Sequence, residues 1–214
     1  MRFSRNGEGW EYGSLLRRLP AGLLLIASLA VAQSSKPISK KAAVPARANE
    51  LSLTGLRPGK DTLAKAATLF GKPDNSLAKL FSANAAWEFI FAGPRFLYLL
   101  AETDHEGRIQ SLRILEDHPD AVGYPLHFSK YPIQRTATGH GLIVGQPAAE
   151  VNHLYGEPDS KSPSSRDGQQ LELWYYAFDW AGADVPQVME VLCTKEQDGT
   201  PGRVIEITLA APSL

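Results

Sequence analysis

Two stretches of sequence decide the fold: residues 55–74 read GLRPGKDTLAKAATLFGKPD, and residues 141–159 read GLIVGQPAAEVNHLYGEPD. Both open with Gly-Leu-x-x-Gly and close with leucine, an aromatic residue and Gly-x-Pro-Asp. The openings lie 86 residues apart, a period too long for a solenoid unit, so the sequence predicts two tandem copies of a small domain. The residues that define the shared motif are Gly55, Gly59, Gly71 and Pro73 in the first copy, and Gly141, Gly145, Gly156 and Pro158 in the second.

Each stretch predicts a helix that ends at a glycine. Apolar residues between Leu63 and Phe70, and between Val151 and Tyr155, recur at the spacing of an amphipathic helix. Gly71 and Gly156 stand where a helix needs a left-handed C-terminal residue, and the proline two positions later prevents the helix from resuming. The Gly-x-Pro-Asp motif is therefore interpreted as a helix stop and not as a phosphate-binding loop, which would precede a helix.

Three strand-like runs follow each helix stop. We therefore predict an α+β fold made of two tandem repeats, each a helical segment packed on a three-stranded antiparallel sheet. The polar segment 161–168, KSPSSRDG, is predicted to be a loop at the rim of any interface. The predicted strands are residues 86–91, 96–102 and 108–115 in the first copy and 171–180, 188–194 and 203–210 in the second.

The N-terminal region has the pattern of a secretory signal. Basic residues precede an apolar run that covers residues 21–32 and ends in Ala-Val-Ala, which predicts cleavage after Ala32. A membrane anchor would need about 20 apolar residues. The mature protein is therefore expected in the periplasm or outside the cell. The predicted organisation is a signal peptide (1–32), a disordered tether (33–50), the first repeat (51–118), a connector (119–138) and the second repeat (139–214).

Composition excludes several classes of protein. The chain has 214 residues and a formal net charge of -1, so nothing favours nucleic acid as a partner. The single cysteine, Cys193, allows no intramolecular disulfide and no Cys-x-x-Cys zinc site. Because no cysteine stands at the predicted cleavage point, we expect no lipid anchor.

Alternating aromatic residues provide the candidate binding surface. Period-2 alternation puts the aromatic side chains of the fourth predicted run, residues 171–180, on one face of its strand. They could pack beneath the helix, the sister repeat or the connector, or they could remain exposed and bind a protein. The candidate residues are Trp174, Tyr176, Phe178 and Trp180, with Trp87 and Phe89 as a smaller counterpart in the first copy.

The sequence offers little that suggests catalysis. The histidines are scattered, no Gly-x-Ser-x-Gly elbow occurs, and Cys193 alternates with apolar residues as a buried thiol would. We therefore predict no catalytic residue, no metal site and no cofactor.

The order of motifs resembles the SmpA/OmlA (BamE-like) family. The resemblance rests on Gly-apolar-x-x-Gly, a helix, Leu-Tyr-Gly-x-Pro, an aromatic strand and a Gly-Arg-Val strand, most fully in residues 141–209. It implies a small α+β fold and a place in the cell envelope. The outline is also similar to secreted β-lactamase inhibitor proteins, which are tandem helix-plus-sheet repeats with a concave binding face.

These observations favour an exported, non-catalytic module that binds a protein partner in the cell envelope or acts as a scaffold there. Peripheral association with the envelope is part of that expectation. One alternative is a secreted inhibitor of an extracytoplasmic enzyme. The alternative from another class is an exported hydrolase.

Overall fold

The fold is known from a computed structural model, which describes residues 47–90, 96–117, 136–182 and 184–212. The predicted signal peptide, residues 33–46 of the tether and residues 119–135 of the connector lie outside these residues. Three short helices are present in the described part: α1 (Leu63–Phe70), α2 (Asn75–Leu80) and α3 (Ala148–Tyr155). Its strands are β1 (Ala85–Ile90), β2 (Phe96–Thr103), β3 (Ile109–Asp117), β4 (Ser160–Arg166), β5 (Gln169–Ala177), β6 (Val188–Lys195) and β7 (Pro201–Ala210).

All of these strands belong to one seven-stranded antiparallel sheet in the order β1-β2-β3-β7-β6-β5-β4. The predicted fold class, two repeats that each pack a helix on a three-stranded sheet, is therefore wrong. The two groups of strands are joined where β3 pairs with β7, with Leu112 opposite Leu209 and Arg113 opposite Thr208. Pairing at the centre satisfies backbone groups that two separate sheets would have left at an edge.

The helix stops form as the sequence predicts. Gly71 has a φ of 76° and Gly156 a φ of 71°, which an L side chain rarely adopts. Each donates its N–H to the carbonyl four residues earlier, Ala67 or Asn152, and so pairs one of the last helical carbonyls.

The chain takes different paths after the two stops. Asp74 caps α2, because its side chain accepts from the N–H groups of the first helical turn. Asp159 instead leads into β4, so the prediction that 161–168 forms a loop is wrong. Asp167 and Gly168 have φ values of 51° and 77°, as a type I′ turn requires, and this turn pairs β4 with β5.

β4 is an edge strand of the sheet, and its position there accommodates Pro163. The two-residue turn makes Arg166 and Gln169 the closing pair, so the backbone nitrogen of Pro163 points away from β5. A proline is tolerated there because no hydrogen bond of the ladder is lost. The same proline hinders addition of a further strand.

The two faces of the sheet are covered differently. On the first face, α1 and α3 cover the main core, to which Phe70 and Tyr155 contribute together with side chains from every strand except β4. On the second face, α2 places Leu77 over Leu100 and Leu115. A small cluster around Leu192 on that face includes no helical residue. We call this second surface the open face, since most of its side chains across β6 and β7 remain half-exposed.

The two Gly-x-x-Gly openings make the same contact with the sheet. Gly59 donates to the carbonyl of Ile109 at 2.8 Å, and Gly145 donates to that of Val204 at 2.8 Å. Ile109 and Val204 therefore hold matching positions at the start of β3 and in β7.

One aromatic side chain in each group of strands also makes a matching contact. Trp87 Nε1 donates to the carbonyl of Gly71 at 2.9 Å, and the Tyr176 hydroxyl donates to that of Gly156 at 3.2 Å. The counterpart of Trp87 is thus Tyr176. Both side chains tie the end of a helix to the strand beneath it.

Candidate functional site

The aromatic row that sequence proposed as a binding surface is largely internal. Five of its six side chains are at most 7% exposed and belong to the core under α1 and α3, so they cannot reach a partner in the folded protein. Trp180 differs: it follows the end of β5 and is 60% exposed. The buried residues are Trp174, Tyr176, Phe178, Trp87 and Phe89.

The segment from Arg47 to Ser52, which we call the N-terminal clasp, is anchored although most of it was predicted to be part of the tether. Arg47 donates to the carbonyl of Tyr155 at 2.9 Å and to Asp159 at 2.7 Å, and its guanidinium lies 4.7 Å from the centre of the Tyr176 ring. It also bonds the carbonyl of Glu157. A cation at the C-terminus of α3 pairs carbonyls that the helix leaves unpaired and complements the helix dipole.

Glu50 is a fully buried carboxylate that joins three segments of the chain. Its Oε1 accepts from three backbone N–H groups, those of Leu51 at 2.7 Å, Ser52 at 2.9 Å and Gly139 at 2.9 Å. The fit is close, because a Cβ added to Gly139 would lie 2.5 Å from Oε1.

The second oxygen of Glu50 binds side chains as well as backbone. Oε2 accepts from the His140 N–H at 3.0 Å and from the Tyr155 hydroxyl at 2.7 Å, and it lies 2.8 Å from His140 Nδ1. The Tyr155 oxygen is also 2.7 Å from the hydroxyl of Thr138. Each lone pair of the carboxylate is thus used inside the protein, which offsets the cost of burying a charge.

These contacts shift the pKa values of two acidic groups, the Glu50 carboxyl and the Tyr155 phenol. Burial raises the pKa of Glu50, but hydrogen bonds from Ser52, Tyr155 and His140 favour the ionised form by more and bring the pKa below its ordinary value. Burial raises the pKa of Tyr155 well above its ordinary range, and the adjacent Glu50 raises it further. The cluster therefore holds one negative charge and a neutral phenol.

Glu50 and His140 stand as the orienting acid and base of a hydrolytic triad would stand. A triad also needs a serine, threonine or cysteine at the other nitrogen of the histidine, and within the described residues His140 is hydrogen-bonded to Glu50. The hydrogen bonds around Glu50 hold three segments of the chain together. A cavity of about 440 Å³ lies beside it and is lined by Ser52, Thr54, Gly55, Lys65, Leu69, Phe70, Ala137, Thr138 and Gly139.

A second hollow lies at the centre of the open face, where β3 meets β7. It has a volume of about 260 Å³, and its lining combines carboxylates, hydroxyls and a guanidinium with one leucine. Strands from both groups contribute to it, so it exists only because the sheet is continuous. The lining residues are Leu100, Glu102, Ser111, Arg113, Glu190, Glu206 and Thr208.

Ion pairs hold part of this hollow in place. Arg113 lies 3.9 Å from Glu206, and Arg166 reaches the same carboxylate from β4. Glu102 accepts from the Ser111 hydroxyl at 3.1 Å. The open face thus presents a fixed polar centre, and half-exposed Tyr98 and Leu173 lie on the same face away from it.

Other chemistry is sparse in the part of the chain that the structure describes. No group of three histidine, cysteine or acidic side chains there could hold a metal ion. Burial raises the pKa of the Cys193 thiol to about 12, which keeps it protonated and unreactive. None of the described helices is long and apolar enough to cross a membrane.

Comparison with known proteins gives little guidance. No protein-family model matches the chain, so the resemblance to the SmpA/OmlA family has no support beyond the motifs that suggested it. No curated protein matches it either. A similar solved structure is a candidate β-lactamase inhibitor protein from Streptococcus mutans, with 14% sequence identity, 75% of this chain and 89% of that chain covered, and a TM-score of 0.23. A likeness of this size carries no argument about fold or function.

Proposed function

We propose that this chain is an exported, non-catalytic protein-binding module that engages its partner through the open face of the sheet. The observation that carries the proposal is the central hollow with its surrounding half-exposed side chains, which no described helix covers across β6 and β7. Protein interfaces combine apolar and aromatic contacts with direct hydrogen bonds, and this face offers both kinds of group. Because the face lies on one continuous sheet, it is preformed and little conformational entropy is lost on binding.

The particular form that we propose is an inhibitor of an extracytoplasmic enzyme. A rigid sheet surface can block an active site by occlusion and needs no catalytic group of its own. Envelope scaffolding would use the same face but would leave the activity of the partner unchanged.

Photo-cross-linking tests the proposal. A photoreactive amino acid at Thr208, which is half-exposed at the centre of the open face, is compared with one at Ala149, which is exposed on α3. We expect one exported protein to be cross-linked from position 208 and not from position 149, and the purified chain to inhibit that protein if it is an enzyme. Equal labelling from both positions, or none from position 208, would refute binding through the open face.

A further inference from the structure

The charges of the central hollow point to the chemistry of what it binds. Its lining contains three glutamates and one arginine, and acids still exceed bases when Arg166 at the rim is counted. Both arginines are directed to one carboxylate, that of Glu206. Within the described residues, neither Glu102 nor Glu190 has an ion-pair partner. Two carboxylates are therefore left without a cation at the middle of the face.

We propose that the hollow receives a basic side chain, arginine or lysine, from a loop of the partner protein; this inference rests on the proposed function. The two carboxylates stand on opposite sides of the β3–β7 junction, Glu102 on β2 and Glu190 on β6. A cation in the hollow is attracted by both carboxylates and repelled by Arg113, which lies on β3 between them; the attraction is strengthened where water is displaced.

The other lining residues suit the same occupant. Ser111 and Thr208 are half-exposed and offer hydroxyl oxygens as acceptors for guanidinium or ammonium protons. The acidic excess also disfavours a nucleic acid, whose phosphates would be repelled.

The partner side chain would change the existing ion pairs little. Glu206, whose side chain is 13% exposed, is shared by Arg113 and Arg166, so these three groups carry one net positive charge, which the two charges of Glu102 and Glu190 outweigh. This arrangement gives specificity: an acidic or neutral side chain in the same place would leave Glu102 and Glu190 without compensation.

The test uses Nα-acetyl-arginine amide as the probe and Nα-acetyl-citrulline amide, which is nearly the same shape without the charge, as its control. Each is titrated into the isotope-labelled full chain while backbone amide resonances are followed. We expect saturable shifts at Ser111, Arg113 and Thr208 with the arginine probe alone, and affinity at least about tenfold weaker in the Glu102→Gln/Glu190→Gln double variant. A Glu196→Gln variant, altered at an exposed site in the β6–β7 turn, should bind as the native chain does.

Equal shifts with both probes, absence of saturable shifts, or unchanged affinity in the double variant would overturn the inference. The proposed function is judged separately by the cross-link from position 208. A specific cross-link from position 208 without a preference for the arginine probe would support binding through the open face. The same result would reject the proposal that a basic side chain of the partner enters the hollow.

Discussion

Replacing Glu50 with glutamine tests the N-terminal clasp more sharply than any other single change. The amide oxygen can still accept from the three backbone groups that Oε1 serves, but the amide nitrogen then faces the His140 N–H, which loses its acceptor. One unpaired donor and the loss of charge-assisted bonds should cost about 2 kcal/mol of unfolding free energy. Glu50→Ala removes all six hydrogen bonds and should cost about 4 kcal/mol.

Urea denaturation measures these losses, with Glu157→Gln as the matched control because that side chain is 79% exposed. The pKa of Glu50 lies below its ordinary value of 4.5, so its stabilising contribution is fully present above pH 4.5 and is lost as the pH falls through the lower folded pKa. The difference in unfolding free energy between the native protein and the Glu50→Gln variant should therefore become smaller as the pH falls. The stabilising role of Glu50 would be refuted if Glu50→Gln lowered the unfolding free energy by less than about 0.5 kcal/mol at neutral pH. It would also be refuted if the difference between the variant and the native protein stayed constant with pH until the protein unfolds in acid.

Three further changes have expected outcomes. Trp174→Ala should lower the unfolding free energy by about 3–5 kcal/mol, whereas exposed Trp180→Ala should change it by less than about 0.5 kcal/mol; similar losses in urea denaturation would contradict their assigned burial. Gly139→Ala should destabilise by about 1–3 kcal/mol in the same assay, because its Cβ would lie against the Glu50 carboxylate; a neutral effect would mean that this contact is looser than the structure shows. Cys193 should resist iodoacetamide at pH 8 in the folded protein and react once urea unfolds the chain, as mass spectrometry can show; rapid labelling of native protein would contradict a buried thiol with a pKa of about 12.

Local signals in the sequence predicted local structure well. The stripe from Leu63 to Phe70 and the glycines at 71 and 156 gave the positions of α1 and of both helix stops, since each depends on a few adjacent residues. β4 was missed because its residues are nearly all polar and exposed, which leaves no alternation to detect. Asp167-Gly168 was the available signal, a dipeptide that favours the turn of a two-residue hairpin.

Contacts between distant residues escaped the sequence analysis. The partners of Glu50 at Gly139 and His140 are 89 and 90 residues away, and a lone glutamate beside a polar segment gives no sign that it will be buried. The pairing of β3 with β7 is equally remote and decides whether there are one or two sheets. The central hollow follows from that pairing, so its residues could not be grouped before the topology was known.

The pairing of β3 with β7 also determines which halves of the chain can associate with each other. Ile109 and Val204 hold matching positions, so Arg113 pairs with its own counterpart, Thr208, and the junction has the geometry of a two-fold interface within one chain. Consider the half of the chain that contains β1, β2 and β3. If its β3 paired in the same register with β3 of a second copy, Arg113 would lie opposite Arg113, and like charges directly opposite destabilise a pair of strands. The threonine at 208 removes this repulsion. The two halves are therefore complementary as unlike partners, and a chain cut between them would favour reassembly of one half with the other over self-association of the first.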